Sequence, residues 1–166
     1  MDIFAFALEK EKYAEQYYRE LADKADHAGL KNILTMLAND EVAHYQAVEQ
    51  IKTATPEAVT ETPVLSNAKE VFEKMRGSAE KFDFTISEVD LYRKACDIEQ
   101  ESRKYYLEKA REVQDDGQKR IFEKLAEEEN KHMVLVQSIC DFVSRPETYL
   151  ENAEFCHFDD YAEDEF

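Results

Sequence analysis

Apolar residues recur along this chain at the helical period in four long stretches. From Ile3 to Ala25 nothing breaks a helix, and Phe4, Leu8, Tyr18, Leu21 and Ala25 mark one face, with Glu11 on the same stripe. Asp26-His27-Ala28-Gly29 reads as a short turn, with His27 at the surface and Gly29 suited to a left-handed position. A second helix is predicted from Leu30 to Lys52, where Leu34, Leu37, Val48 and Ile51 form a seam that Glu41 and His44 interrupt. A third is expected from an N-cap at Ser87 to Val113, striped by Leu91, Ala95, Glu99, Ser102, Tyr106 and Ala110. After Asp115-Asp116-Gly117, a fourth carries Phe122, Leu125, Glu129, His132, Val136, Ile139 and Val143, and Pro146 ends it.

The stretch 53–85 has a different character. Thr53-Ala54-Thr55-Pro56 and Thr60-Glu61-Thr62-Pro63 read as extended, and a short helix is expected from Asn67 to Met75, before Gly77. This is too long for a tight connection. It can run the length of a bundle, because a 25-residue helix is only ~37 Å long. The residues from 146 to 166 are acidic with scattered aromatics and read as a partly docked or disordered tail, outside a bundle domain over 1–145.

The two halves repeat. An offset of 88 positions carries Glu11 to Glu99, Tyr17-Tyr18 to Tyr105-Tyr106, Gly29 to Gly117, Glu41 to Glu129 and His44 to His132. Two short hairpins joined by one long crossover make an all-α four-helix bundle with an internal pseudo-two-fold axis. In the first hairpin Glu11 lies ~22 Å from the turn and the Glu41/His44 pair ~20 Å from it, so they meet at one depth. The repeat gives Glu99, Glu129 and His132 the same register.

Composition narrows the class. Three glycines and three prolines among 166 residues suit long helices. With 21 Lys+Arg against 38 Asp+Glu, the net charge of −17 repels nucleic acid and anionic membranes. No apolar run is long enough to span a bilayer, and Met1-Asp2-Ile3-Phe4 lacks the basic start of a signal peptide, so a cytoplasmic protein is expected. Cys96, Cys140 and Cys156 form no C-x-x-C pair and read as free thiols, the first two as small core residues.

Six polar side chains on apolar seams require an explanation. Four buried carboxylates without partners would repel one another and lose hydration. Two divalent cations neutralise them, with two imidazoles completing the coordination. Glu/His ligation without thiolate suits iron or manganese, with zinc also possible. The metal ligands expected are therefore Glu11, Glu41, His44, Glu99, Glu129 and His132. Tyr18 and Tyr106 are candidates to hydrogen-bond a ligating carboxylate, or are packing aromatics. Asp40 and Glu128 are candidates to orient the partner histidine, or are solvated acids. Glu154-Phe155-Cys156-His157 has no repeat partner and no seam, and reads as coincidence.

On these paired motifs, residues 1–145 resemble the rubrerythrin branch of the ferritin-like superfamily. The resemblance implies a di-iron centre held by those six residues, with Glu41 and Glu129 bridging, and reduction of hydrogen peroxide or oxygen in oxidative-stress defence. Paired C-x-x-C motifs of a rubredoxin module are lacking, which implies an external electron donor such as a rubredoxin or reductase. Ser102 stands where such proteins tend to carry a further Glu. Iron handling with ferroxidase activity, or a metal-holding bundle without redox turnover, are the other classes open at this point. A homo-oligomer, a dimer by analogy, is expected.

Overall fold

The computed structural model describes residues 2–52 and 62–162. All regular structure among them is helical. Four long helices, α1 (Ile3–Lys24), α2 (Ala28–Lys52), α4 (Ile86–Glu112) and α5 (Asp116–Ser144), form two antiparallel hairpins. The shorter α3 (Val64–Gly77), α6 (Pro146–Glu151), a 3₁₀ turn (Glu154–Phe158) and α7 (Asp159–Ala162) gather at one end.

Local chemistry sets the helix starts. Asp2 caps α1 by accepting from the Ala5 amide at 2.8 Å, and Asp115 caps α5 by accepting from Gln118 at 2.8 Å. The third long helix is capped by Thr85, not by Ser87 as the sequence suggests. Thr85 and Glu88 bond each other's backbone amides reciprocally, a capping box that satisfies two free N–H groups at once. The crossover helix likewise runs longer than its expected Asn67–Met75 span. The first stretch of the crossover, 53–61, lies outside the described residues.

Gly29 does not occupy a left-handed position; it is helical, inside the first turn of α2. Its small size has another use. A Cβ there would sit 2.8 Å from Met75 Sδ and 3.2 Å from Val71 Cγ1, so Gly29 lets α3 pack closely against α2.

Hydrogen bonds across the hairpins report the pseudo-two-fold. Tyr17 Oη donates to the Leu91 carbonyl at 2.6 Å, and its repeat counterpart Tyr105 donates to the Ile3 carbonyl at 2.6 Å. Residue numbers rise along α1 as their partners fall along α4, so these helices are antiparallel. The interior splits into two apolar clusters. One holds Tyr18, Leu21, Leu34, Leu37, Tyr92, Val136 and Ile139 together with α3 and the C-terminal elements. The other holds Ala7, Val48, Ile51, Tyr106, Phe122 and Leu125. Between them lies a polar layer.

The C-terminal segment is docked through residue 161. Tyr149, Leu150, Phe155 and Phe158 are buried, and the Phe72 ring packs against Tyr149, Phe155 and Phe158. Tyr149 and Ser138 share a buried hydrogen bond. Pro146 acts where expected: α5 stops at Ser144, and the proline opens α6.

Candidate metal centre

Glu11 on α1, Glu41 and His44 on α2, Glu99 on α4, and Glu129 and His132 on α5 meet in the polar layer, none more than 2% exposed. Within each of α2 and α5 the Glu and His are three residues apart, so both project from one face of the helix. His44 Nδ1 lies 2.8 Å from Glu129, 3.5 Å from Glu41 and 3.6 Å from Glu11. His132 Nδ1 lies 2.9 Å from Glu41, 3.5 Å from Glu99 and 4.0 Å from Glu129. Each environment is the other displaced by one repeat. Glu41 and Glu129 face both histidines, whereas Glu11 belongs to His44 and Glu99 to His132. The two imidazoles stack with centroids 5.1 Å apart.

One ligand atom from each of Glu41, His44, Glu129 and His132 lies within 4.8 Å of the other three, a group able to hold a metal ion. The donor atoms left over carry the fit further. Glu11 Oε2, Glu41 Oε2 and Glu99 Oε2 have no hydrogen-bond partner among the described residues. Buried oxygens are almost always satisfied, so three orphaned lone-pair donors in one small volume are what a cation site leaves when only protein is considered. The residues fit divalent metal.

Electrostatics describe how the protein balances this charge without metal. Burial raises Glu41 and Glu129 well above the usual carboxylate range, and the neighbouring carboxylates push them further. Burial alone would raise Glu11 too, but the Glu41 carboxyl and the His44 charge hold it below that range. Glu99 also resists burial, held down to about 2 by the His132 charge and by its hydrogen bonds. Burial would lower the imidazoles, yet Glu11 raises His44 and Glu99 raises His132 well above the ordinary value. The charged forms of His44, His132, Glu11 and Glu99 are thus favoured, and Glu41 and Glu129 favour the neutral form.

The tyrosines cross between hairpins. Tyr18 Oη donates to Glu99 and Tyr106 Oη donates to Glu11, both fully buried. Each therefore serves the carboxylate of the other hairpin, not the one seven residues before it on its own helix. Asp40 accepts from His132 Nε2 at 2.9 Å. Glu128 departs from its expected place. It is buried, but it meets Thr62 and Lys131 instead of a histidine, and His44 Nε2 has no partner among the described residues. The repeat breaks here where Thr62 of the crossover meets both acids. Thr62 Oγ1 lies 2.6 Å from Asp40 Oδ2 and 3.4 Å from Glu128 Oε2, joining α2 to α5 over the site. Thr62 carried no periodic signal in the sequence, since it sits in a single-copy connection.

Ser102 is 5% exposed, one turn beyond Glu99, and lines a groove of about 360 Å³ with Phe6, Glu9, Lys10, Tyr13, Ile98 and Glu101. Glu154 and His157 lie outside the cluster: Glu154 pairs with Arg145, and His157 bonds the Glu154 carbonyl.

A family model described as Rubrerythrin matches residues 2–140. No curated protein and no solved structure matches the chain.

Proposed function

This chain belongs to the rubrerythrin family, and from that premise we propose that it holds two iron ions and reduces hydrogen peroxide. Glu11 and His44 would hold one ion, Glu99 and His132 the other, with Glu41 and Glu129 shared. The observation that carries the reading is the paired arrangement of four carboxylates and two imidazoles with orphaned oxygens at its centre. A di-iron centre held by these residues would supply two electrons to a peroxide, which with two protons gives two waters.

The chain's own residues supply the rest. Apolar clusters on both sides exclude bulk water, so each charge inside interacts strongly. Tyr18 and Tyr106 donate hydrogen bonds to Glu99 and Glu11, and burial with nearby carboxylates raises both phenols well above their ordinary range. Asp40 fixes the ring of His132 through Nε2.

Electrons would come from a redox partner such as a rubredoxin or a reductase, in keeping with the family. The reading places the protein in the cytoplasm as a homodimer. No helix among the described residues is long and apolar enough to cross a membrane. Ser102, in place of the further Glu that the resemblance leads one to expect, favours a second reading in which the centre oxidises Fe(II) for storage or handover.

Anaerobic loading with Fe(II), followed by mixing with hydrogen peroxide or with oxygen, separates the two. Uptake of two irons with faster oxidation by peroxide is expected. Faster oxidation by oxygen with continued turnover of excess Fe(II) selects the second reading.

A further inference from the structure

Away from the metal cluster, the fold brings two nucleophilic side chains together. Cys96 on α4 and Cys140 on α5 are 44 residues apart in sequence, yet their Sγ atoms lie 3.5 Å apart, both half-buried. Both pack against the hydrophobic core, and they also face each other. They do not follow the repeat, since the positions 88 residues earlier are Leu8 and Lys52. The pair therefore belongs to the second hairpin alone and is not a packing solution that both hairpins share.

We propose that Cys96 and Cys140 form a reversible dithiol–disulfide site, oxidised by a hydroperoxide, that crosslinks α4 to α5. Closing a 3.5 Å separation to a disulfide near 2.05 Å needs a movement of about 1.5 Å. Electrostatics distinguish the two sulfurs. The hydrogen bond between the two sulfurs lowers Cys96 against the effect of burial, and that same bond with burial raises Cys140. Cys96 is the attacking sulfur, because the thiolate is the nucleophile. Its thiolate takes the terminal oxygen of the hydroperoxide, the O–O bond breaks, and an alcohol or water leaves after protonation. Cys140 then attacks the Cys96 sulfenic acid, the S–S bond forms, the S–O bond breaks, and water leaves. Two thiols lose two electrons and two protons, and one hydroperoxide is reduced.

This chemistry requires no metal, and it has a structural consequence. Cys96 lies one turn before Glu99 on α4, and Cys140 shares α5 with Glu129 and His132. The crosslink ties together the two helices of one hairpin next to its ligands.

The test uses the full chain carrying Cys156→Ser, which removes the exposed thiol and with it disulfides between molecules. Hydrogen peroxide should remove both remaining thiols together, with loss of two hydrogens in mass, and dithiothreitol should restore them. A chelator should leave this reaction unchanged. In the Cys140→Ser variant dimedone should trap a sulfenic acid at Cys96, whereas Cys96→Ser should keep its Cys140 thiol. Persistence of both thiols, over-oxidation of one beside a reduced partner, or thiol loss only with iron bound would each overturn the proposal.

Discussion

Tyr18 on α1 donates its hydroxyl to Glu99 on α4, and one repeat later Tyr106 on α4 returns the same bond to Glu11 on α1. Each hairpin thus sets the carboxylate of the other. Tyr18→Phe removes a charge-assisted hydrogen bond, worth about 2 kcal/mol, from the His132 side of the site alone. Two irons should still bind, and their oxidation rate should change. Tyr106→Phe should perturb the His44 side instead, so Mössbauer spectra of the two variants should differ in which iron shifts. Unchanged rates in both would reduce these tyrosines to packing.

Glu41→Ala or Glu129→Ala removes a carboxylate that faces both histidines. Two-metal binding should be lost, as read by iron stoichiometry. What disappears is the gain on loading, about 2.7 kcal/mol at a hundredfold excess over Kd. Retention of two irons per chain would refute the ligand assignment.

Stability of the metal-free chain should depend on pH in a defined direction. His44 and His132 are raised above 6.5, so their contribution is complete below that value and is lost as pH rises through the folded values. Glu41 and Glu129 are raised above 4.5 and add to the same loss. Glu11 and Glu99 are lowered, so their contribution is lost only as pH falls through the folded values, about 2 for Glu99. The metal-free melting temperature should therefore fall as pH rises, from about 4.5 through the glutamates and from about 6.5 through the histidines. Metal replaces those protons, so loading should release protons and should weaken as pH falls. Calorimetry in buffers of different ionisation enthalpy counts them; no release would contradict this charge balance.

Deleting residues 146–166 removes Tyr149, Leu150, Phe155 and Phe158 from the core. Each buried side chain of this size contributes about 2 kcal/mol. A large drop in melting temperature and binding of a hydrophobic dye at the exposed Phe72 are expected. An unchanged melting curve would mean that the segment is not docked in solution.

The long helices, their hairpin pairing and the common depth of Glu11, Glu41, His44, Glu99, Glu129 and His132 were legible in the sequence. Helical periodicity is a local property, and the repeat of 88 positions fixes relative register without reference to any packing angle. That is why six ligand candidates could be named from spacing alone.

Relationships across helices were not legible, because they depend on how each helix is rotated against its neighbours. Only the tertiary structure sends Tyr18 to Glu99 instead of Glu11, and only it seats Asp40 on His132 while Glu128 misses His44. Gly29 reads as a turn residue until Met75 is found against it, and the acidic tail until Phe72 is found beneath it. Cys96 and Cys140 have no motif linking them; the antiparallel packing of α4 on α5 makes them neighbours. Spacing within a helix is written in the chain, whereas rotation between helices is set by side chains from several distant segments filling one volume at once.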